Sequence, residues 1–291
     1  MSSAELVLNT HPSLGEGPVW DVRRARLLWV DLLGGAVHVF DPATGRDHAI
    51  EAGRAVGAVV PRRDGSWFVF GADSILTLDP ETETLAAVHD FESETPARRS
   101  NDAQADPFGR VWFGRLAWRF DRGAGRLERL DTSMVRVPVF TGLAIPNGIG
   151  WSPDARTMYF SESTARTLTA FDFDEANGPT NPRVLLGPDA FDALGGVPDG
   201  LTVDAEGHVW LAVWGGRCLV RVSPTGAVVD RVDLPVSQVS SCAFGGPDLA
   251  DLYVTTARAD FSPEDDAREP LAGGLFLVRP GVRGLHPRLA F

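Results

Sequence analysis

The chain has 291 residues, 44% hydrophobic and 23% charged, an ordinary globular composition with room for one large all-β domain. Its net charge of −12 and pI near 4.9 exclude a nucleic-acid binder built on a basic footprint. All 27 basic residues are arginine, which also excludes Schiff-base, P-loop-lysine and Ser-Lys chemistry.

In chain order, Met1 to Thr10 lacks the basic region and apolar core of a signal peptide. No apolar run approaches the roughly 20 residues that span a bilayer, so a cytoplasmic protein with no membrane partner is expected. Glu5 to Asn9 reads as an outer strand that closes the last unit of a ring. One unit then recurs six times: a polar turn followed by an aromatic-rich apolar run. The copies are residues 21–30, 63–70, 106–113, 152–160, 204–211 and 246–254. Their Asp-Gly, Pro-Asp and Glu-Gly turns suit tight hairpins. Period-two alternation after most copies, as in Val37 to Gly45 and Leu219 to Gly226, predicts further strands. The best helical candidate is Pro188 to Leu194, within an inserted loop expected around Asn177 to Val197.

Six positions share one phase ahead of these runs: Glu16, Gly57, Asn101, Asn147, Asp199 and Ser241. They are spaced 41, 44, 46, 52 and 42 residues apart. Units of roughly 40–50 residues with four strands are the signature of a propeller. The expected fold is all-β, a six-bladed β-propeller with a central metal site, and residues 1–291 form a single domain. In a closed ring, equivalent positions converge on the axis. Small or polar neighbours at the strand starts (Gly17, Ala58, Asp102, Gly148, Gly200, Cys242) suit that crowded place.

Glu16, Asn147 and Asp199 each stand alone at the head of an apolar strand, flanked by Gly or Pro. Asn-Gly and Asp-Gly are also ordinary hairpin signals, but three blades sharing one phase favours a site. Two buried carboxylates at one axis repel and are costly to desolvate. A divalent cation removes both problems. An all-oxygen donor set suits Ca²⁺, Mg²⁺ or Mn²⁺ and admits Fe²⁺ or Zn²⁺. Three or four protein ligands leave positions open for water and substrate. Asn101 shares the phase, and Arg99 two residues before it is placed to grip a substrate oxygen at the channel mouth. Ser241 and Gly57 complete the ring. Cys218 and Cys242 show no zinc spacing, and two cysteines in a chain this long suggest a reducing compartment and buried packing roles. The histidines at 11, 38, 48, 89, 208 and 286 show no metal-binding spacing. His208 reads as a strand residue and the rest as surface.

Several motifs together are specific. They include Leu14-Gly15-Glu16-Gly17-Pro18-Val19-Trp20, Arg99-Ser100-Asn101-Asp102, Asn147-Gly148 and Pro198-Asp199-Gly200. Further along come Cys242-Ala243-Phe244-Gly245-Gly246, Tyr253-Val254-Thr255-Thr256-Ala257-Arg258 and Ala272-Gly273-Gly274-Leu275-Phe276. Over nearly its whole length the chain resembles the SMP-30/gluconolactonase/regucalcin family. The resemblance implies a six-bladed propeller with one catalytic divalent metal (Ca, Zn, Mn, Mg or Fe). It implies hydrolysis of a small-molecule sugar lactone to the open aldonic acid by a monomer or weak homo-oligomer. It assigns Glu16, Asn147 and Asp199 as metal ligands, Asp199 as proton acceptor or donor, and Arg99 and Asn101 as substrate contacts. Two rival functions are a promiscuous metal-dependent esterase or phosphotriesterase on the same scaffold, and a non-catalytic, regucalcin-like calcium binder. One segment departs from the family pattern. After the third-blade aromatic the family reads Gly-Thr-Met, with an acid beyond in some members; here it is Gly114-Arg115-Leu116-Ala117-Trp118-Arg119. Arg115, Trp118 and Arg119 are therefore expected at the pocket mouth, making it cationic and aromatic and favouring an altered or anionic substrate.

Overall fold

The computed structural model describes residues 3–91 and 95–291. Strand β1 (Glu5–Leu8) precedes the first complete blade, β2 (Gly15–Asp21), β3 (Arg26–Asp31), β4 (Ala36–Asp41) and β5 (Arg46–Glu51). The second blade is β6 (Val56–Pro61), β7 (Trp67–Gly71), β8 (Ser74–Asp79) and β9 (Thr84–Asp90). The third is β10 (Arg98–Ala105), β11 (Val111–Ala117), β12 (Gly125–Leu130) and β13 (Arg136–Leu143). The fourth is β14 (Pro146–Trp151), β15 (Thr157–Glu162), β16 (Thr167–Asp174) and β17 (Gly178–Leu186), followed by helix α1 (Pro188–Leu194). The fifth is β18 (Val197–Val203), β19 (Val209–Trp214), β20 (Cys218–Val222) and β21 (Val228–Asp233). The sixth holds β22 (Val239–Gly245), β23 (Asp251–Thr256) and, after helix α2 (Pro263–Arg268), β24 (Leu275–Val278).

Each blade is a four-stranded antiparallel sheet in chain order, except that β1 supplies the outer strand of the sixth, ordered β22-β23-β24-β1. The first strands of the blades neighbour one another around the axis, and β22 returns to β2. This is the six-bladed ring that the repeat predicts. The insertion expected around Asn177 to Val197 holds a long outer strand, β17, and α1, which spans the Pro188 to Leu194 that the sequence offers as helical. Helix α2 was not expected. Ser262 caps it in a reciprocal box with Asp265, and Pro263 opens it.

The turn after each inner strand explains the recurring Asp before the aromatic. Asp106 Oδ1 accepts from the backbone N–H of Phe108 (2.8 Å) and Arg110 (3.0 Å). Its Oδ2 accepts from Arg110 Nε (2.6 Å) and Trp112 Nε1 (2.9 Å). Asp204 does the same for the Glu206 and His208 amides and for Trp210 and Arg221. One side chain thus shapes the turn and satisfies a buried indole. Between blades the core is apolar, as where Phe70 meets Phe113 with ring centroids 4.9 Å apart. His38 is a correction: it is buried, stacked 3.9 Å from Trp29, and bonded through Nδ1 to Asp47 at 2.6 Å. His208 precedes its strand, in the turn shaped by Asp204.

After β24 the chain crosses the ring beneath the inner hairpin turns. Arg283 O accepts from Ala205 N at 2.8 Å, and Gly284 N donates to Leu249 O at 2.8 Å. Arg288 Nη2 donates to Ser152 O at 3.1 Å. Ala290 N donates to Pro61 O at 2.9 Å and Phe291 N to Gly109 O at 3.0 Å. Five of the six blades are tied together by this strap.

Cys218 and Cys242 are free and buried. Burial pushes the Cys218 thiol up to about 11 and the Cys242 thiol higher still. A thiol reagent such as DTNB is expected to label neither in native buffer and both in guanidinium; rapid native labelling would contradict this packing. Among the described residues no helix is long and apolar enough to cross a membrane.

Candidate active site

A register irregularity interrupts the inner hairpin of every blade at one level. It falls between Glu16 and Val19, Val56 and Ala58, Ser100 and Ala103, Pro146 and Ile149, Pro198 and Leu201, and Val239 and Ser241. Such bulges bend a strand and re-aim its side chains. Here they lie at the strand starts, the end of the ring opposite the C-terminal strap. Close approach of backbones at this level requires glycine. A Cβ on Gly200 would lie 2.1 Å from Ser241 Oγ, and one on Gly57 2.5 Å from Asn101 O.

Glu16, Arg99, Asn101, Asn147 and Asp199 all line one cavity of about 450 Å³ at this level. All five are buried. Asn147 Nδ2 donates to Ser163 Oγ at 3.1 Å and to Asp199 Oδ1. Asn147 Oδ1 is buried without a hydrogen-bond partner. Arg99 Nη1 donates to Asn101 Oδ1 (2.8 Å) and Ser100 O (3.1 Å), and Asn101 Nδ2 donates to Pro146 O (2.9 Å). A chain of bonds therefore joins the arginine to the backbone beside Asn147. The Asp199 carbonyl is held by Ser161 Oγ at 2.7 Å.

The electrostatics are those of carboxylates crowded out of water. Burial, then the nearby charge of Asp102, pushes Glu16 up to about 8. Burial, then Glu16 and Asp102, holds Asp199 well above the usual carboxylate range. Asp102 itself is raised to about 7 by burial. Burial lowers Arg99 to about 10, against the pull of Glu16 and Asp199. Among the described residues no three His, Cys, Asp or Glu side chains gather as a metal cluster. The set instead combines two carboxylates and an amide oxygen. An orphaned Asn147 Oδ1 beside two mutually repelling carboxylates fits a hard divalent cation, which supplies the missing partner and cancels the repulsion.

Of the segment expected at the mouth, only Trp118 lines the cavity. Arg115 is a correction. It is 2% exposed, its guanidinium lies 3.9 Å over the Phe91 ring, and Nη2 faces Ala72 O and Arg98 O at 3.4 and 3.5 Å. Arg119 is exposed and is not among the described residues that line the cavity, so Arg115 and Arg119 do not supply the cationic mouth expected of them. Gly57 and Ser241 stay in the ring wall. Ser163, Asp260, Leu33, Phe120 and Trp214 line the cavity and were not anticipated. They sit outside the first shared phase, but Leu33, Ser163, Trp214 and Asp260 lie at or just beyond the ends of the second strands β3, β15, β19 and β23, a positional cue of their own.

Comparison with known proteins identifies the family. The family model described as SMP-30/Gluconolactonase/LRE-like region matches residues 14–258. A pentonolactonase of Haloferax volcanii is 38% identical over 284 residues, 96% of this chain and 94% of its own. A 6-deoxy-6-sulfogluconolactonase of Pseudomonas putida is 35% identical over 272 residues, 93% of this chain and 92% of its own. The crystal structure of a calcium-binding protein, regucalcin, from Agrobacterium tumefaciens superposes with a TM-score of 0.93 at 28% identity, covering 100% of this chain and 98% of that one. With a family match over most of its length and the ring that the repeat predicts, the chain belongs to the SMP-30/gluconolactonase/LRE-like family.

Proposed function

We propose that this protein hydrolyses a sugar lactone to the open-chain aldonic acid, using one divalent metal ion held by Glu16, Asn147 and Asp199. The observation that carries the proposal is the unpartnered, buried Asn147 Oδ1 in the same cavity as two carboxylates of raised pKa. The names of the pentonolactonase and sulfogluconolactonase relatives support lactones as the substrate class. When bound, the ion would polarise the lactone carbonyl and offset the charge of the two carboxylates.

The chain's own residues do the rest. Asp199 accepts a proton from the attacking water and returns one to the ring oxygen as it leaves. The new C–O bond forms as the acyl–oxygen bond breaks. Arg99 and Asn101 hold substrate oxygens, and their mutual bond fixes both in place before substrate arrives. The test is a pH-stat panel of pentono- and hexonolactones, run with added metal beside aryl ester and phosphotriester substrates. Turnover confined to lactones is expected. Faster ester or phosphotriester cleavage would replace this function with the esterase, and metal binding without turnover of any substrate would replace it with the calcium binder.

A further inference from the structure

Among the described residues ten large hydrophobic side chains are exposed, and seven of them are valines. Isolated exposed valines on strands and turns are normal. The other three are Leu33, Trp118 and Phe120, at 48%, 43% and 53% exposure, and all three line the cavity that holds Glu16 and Asp199. They come from two different blades, so their meeting is a product of the fold. Trp118 lies 5.8 Å over the Arg99 guanidinium. Phe120 takes a left-handed φ of 57°, uncommon for an aromatic, and its N–H donates to Ala117 O at 2.9 Å. Strained backbone of this kind tends to be kept where a side chain must be aimed. Among the described residues that line the cavity, the charged ones are Glu16, Asp199 and Asp260 against Arg99, which is already bonded to Asn101. An additional anionic group would meet no free cation among them, whereas an apolar group would meet three exposed apolar side chains.

We propose that Leu33, Trp118 and Phe120 form a subsite for an apolar substituent on the lactone ring. The substrates of this site then include γ- and δ-lactones bearing an alkyl group on the carbon that carries the ring oxygen. The inference rests on the lactone hydrolysis proposed above. The chemistry is unchanged: water's oxygen bonds to the acyl carbon, the acyl–oxygen bond breaks, the ring oxygen takes a proton, and the alkyl group stays on the alcohol end of the hydroxy acid.

The experiment is a homologous series sharing one ring: γ-butyrolactone, γ-valerolactone, γ-hexalactone and γ-octalactone. We expect kcat/KM to rise about fourfold per methylene over the first members, the equivalent of ~0.8 kcal/mol for each buried CH₂. Trp118→Ala and Phe120→Asn, the latter compatible with left-handed backbone, should flatten the series. Val184→Ala, at another exposed apolar residue outside the cavity, should leave it intact. Calorimetric titration of γ-octalactone against γ-butyrolactone reads the same preference without turnover. A flat series in the unsubstituted protein, or an unaltered slope in Trp118→Ala, overturns the subsite. If sugar lactones turn over while the alkyl series is flat in rate and in binding, the subsite falls and the hydrolysis stands. If chain-length-dependent binding disappears in Trp118→Ala but no lactone is hydrolysed, the subsite stands and the hydrolysis falls.

Discussion

Asp199→Asn is expected to lose about 10²–10⁴-fold in kcat while folding normally, the usual contribution of a positioned general acid–base. The amide keeps the shape of the carboxylate but accepts no proton from water. Fold retention follows from the charge pattern. Asp199 is buried among Glu16 and Asp102, and those neighbours raise its pKa, so its charge is a burden on the metal-free protein. Removing that charge should leave the metal-free melting temperature equal to or above that of the parent. Circular dichroism and calorimetry check the fold, and initial rates on the best lactone check the chemistry. A variant that retains more than a tenth of the parent kcat would refute the role given to Asp199.

Metal removal is the second large effect. Chelation followed by desalting, with elemental analysis to confirm the loss, should abolish turnover, and re-addition should restore it. Stability should follow occupancy. A ligand at about 100 times its Kd stabilises the folded state by about 2.7 kcal/mol, or roughly 4–5 °C in melting temperature for a domain of this size. The pH dependence has a defined sign. Glu16 titrates near 8 in the folded protein against 4.5 for a free side chain, so between those values the folded state binds more protons than the unfolded one. The metal-free protein is therefore expected to lose stability as pH rises from about 4.5 to 8, with Asp199 acting in the same direction. Added metal should counter this most at the upper end. Full activity in stripped protein, or metal-free stability that climbs over that range, would contradict the site.

The ring was legible in the sequence because its cause is periodic. Each blade repeats a turn aspartate, a buried aromatic and a strand start, and the shared phase converges by symmetry. Glu16, Asn101, Asn147 and Asp199 fall in one cavity for that reason. Arg115 was misjudged because the face of a strand residue depends on register. Paired with Ser100 and Arg126, it sits in mid-sheet, and its guanidinium covers Phe91 of the neighbouring blade. Trp118 lies one residue beyond the end of β11, where the sheet no longer dictates direction, and it reaches the cavity. His38 was misjudged for a related reason. Its partner Asp47 stands nine residues away on the adjacent strand, and nothing in local composition announces a buried imidazole–carboxylate pair. Leu33, Ser163, Trp214 and Asp260 come from different blades and fall 17, 16, 15 and 19 residues after Glu16, Asn147, Asp199 and Ser241, at or just beyond the end of each blade's second strand, a second shared phase beside that of the inner strand starts.

The sixth blade takes its outer strand from the other end of the chain, Glu5 pairing with Leu277 and Leu6 with Phe276. During synthesis, residues 5–8 therefore wait for about 270 further residues before their partner strand exists. Until then the nascent chain carries an unpaired strand at one end and an open sheet edge at the other, the condition most prone to intermolecular pairing. Pairing of β24 with β1 closes both at once, and residues 283–291 then lie across the ring. Closure of the ring is thus tied to the meeting of β1 and β24, and a chain cut before β24 is left with the edge exposed.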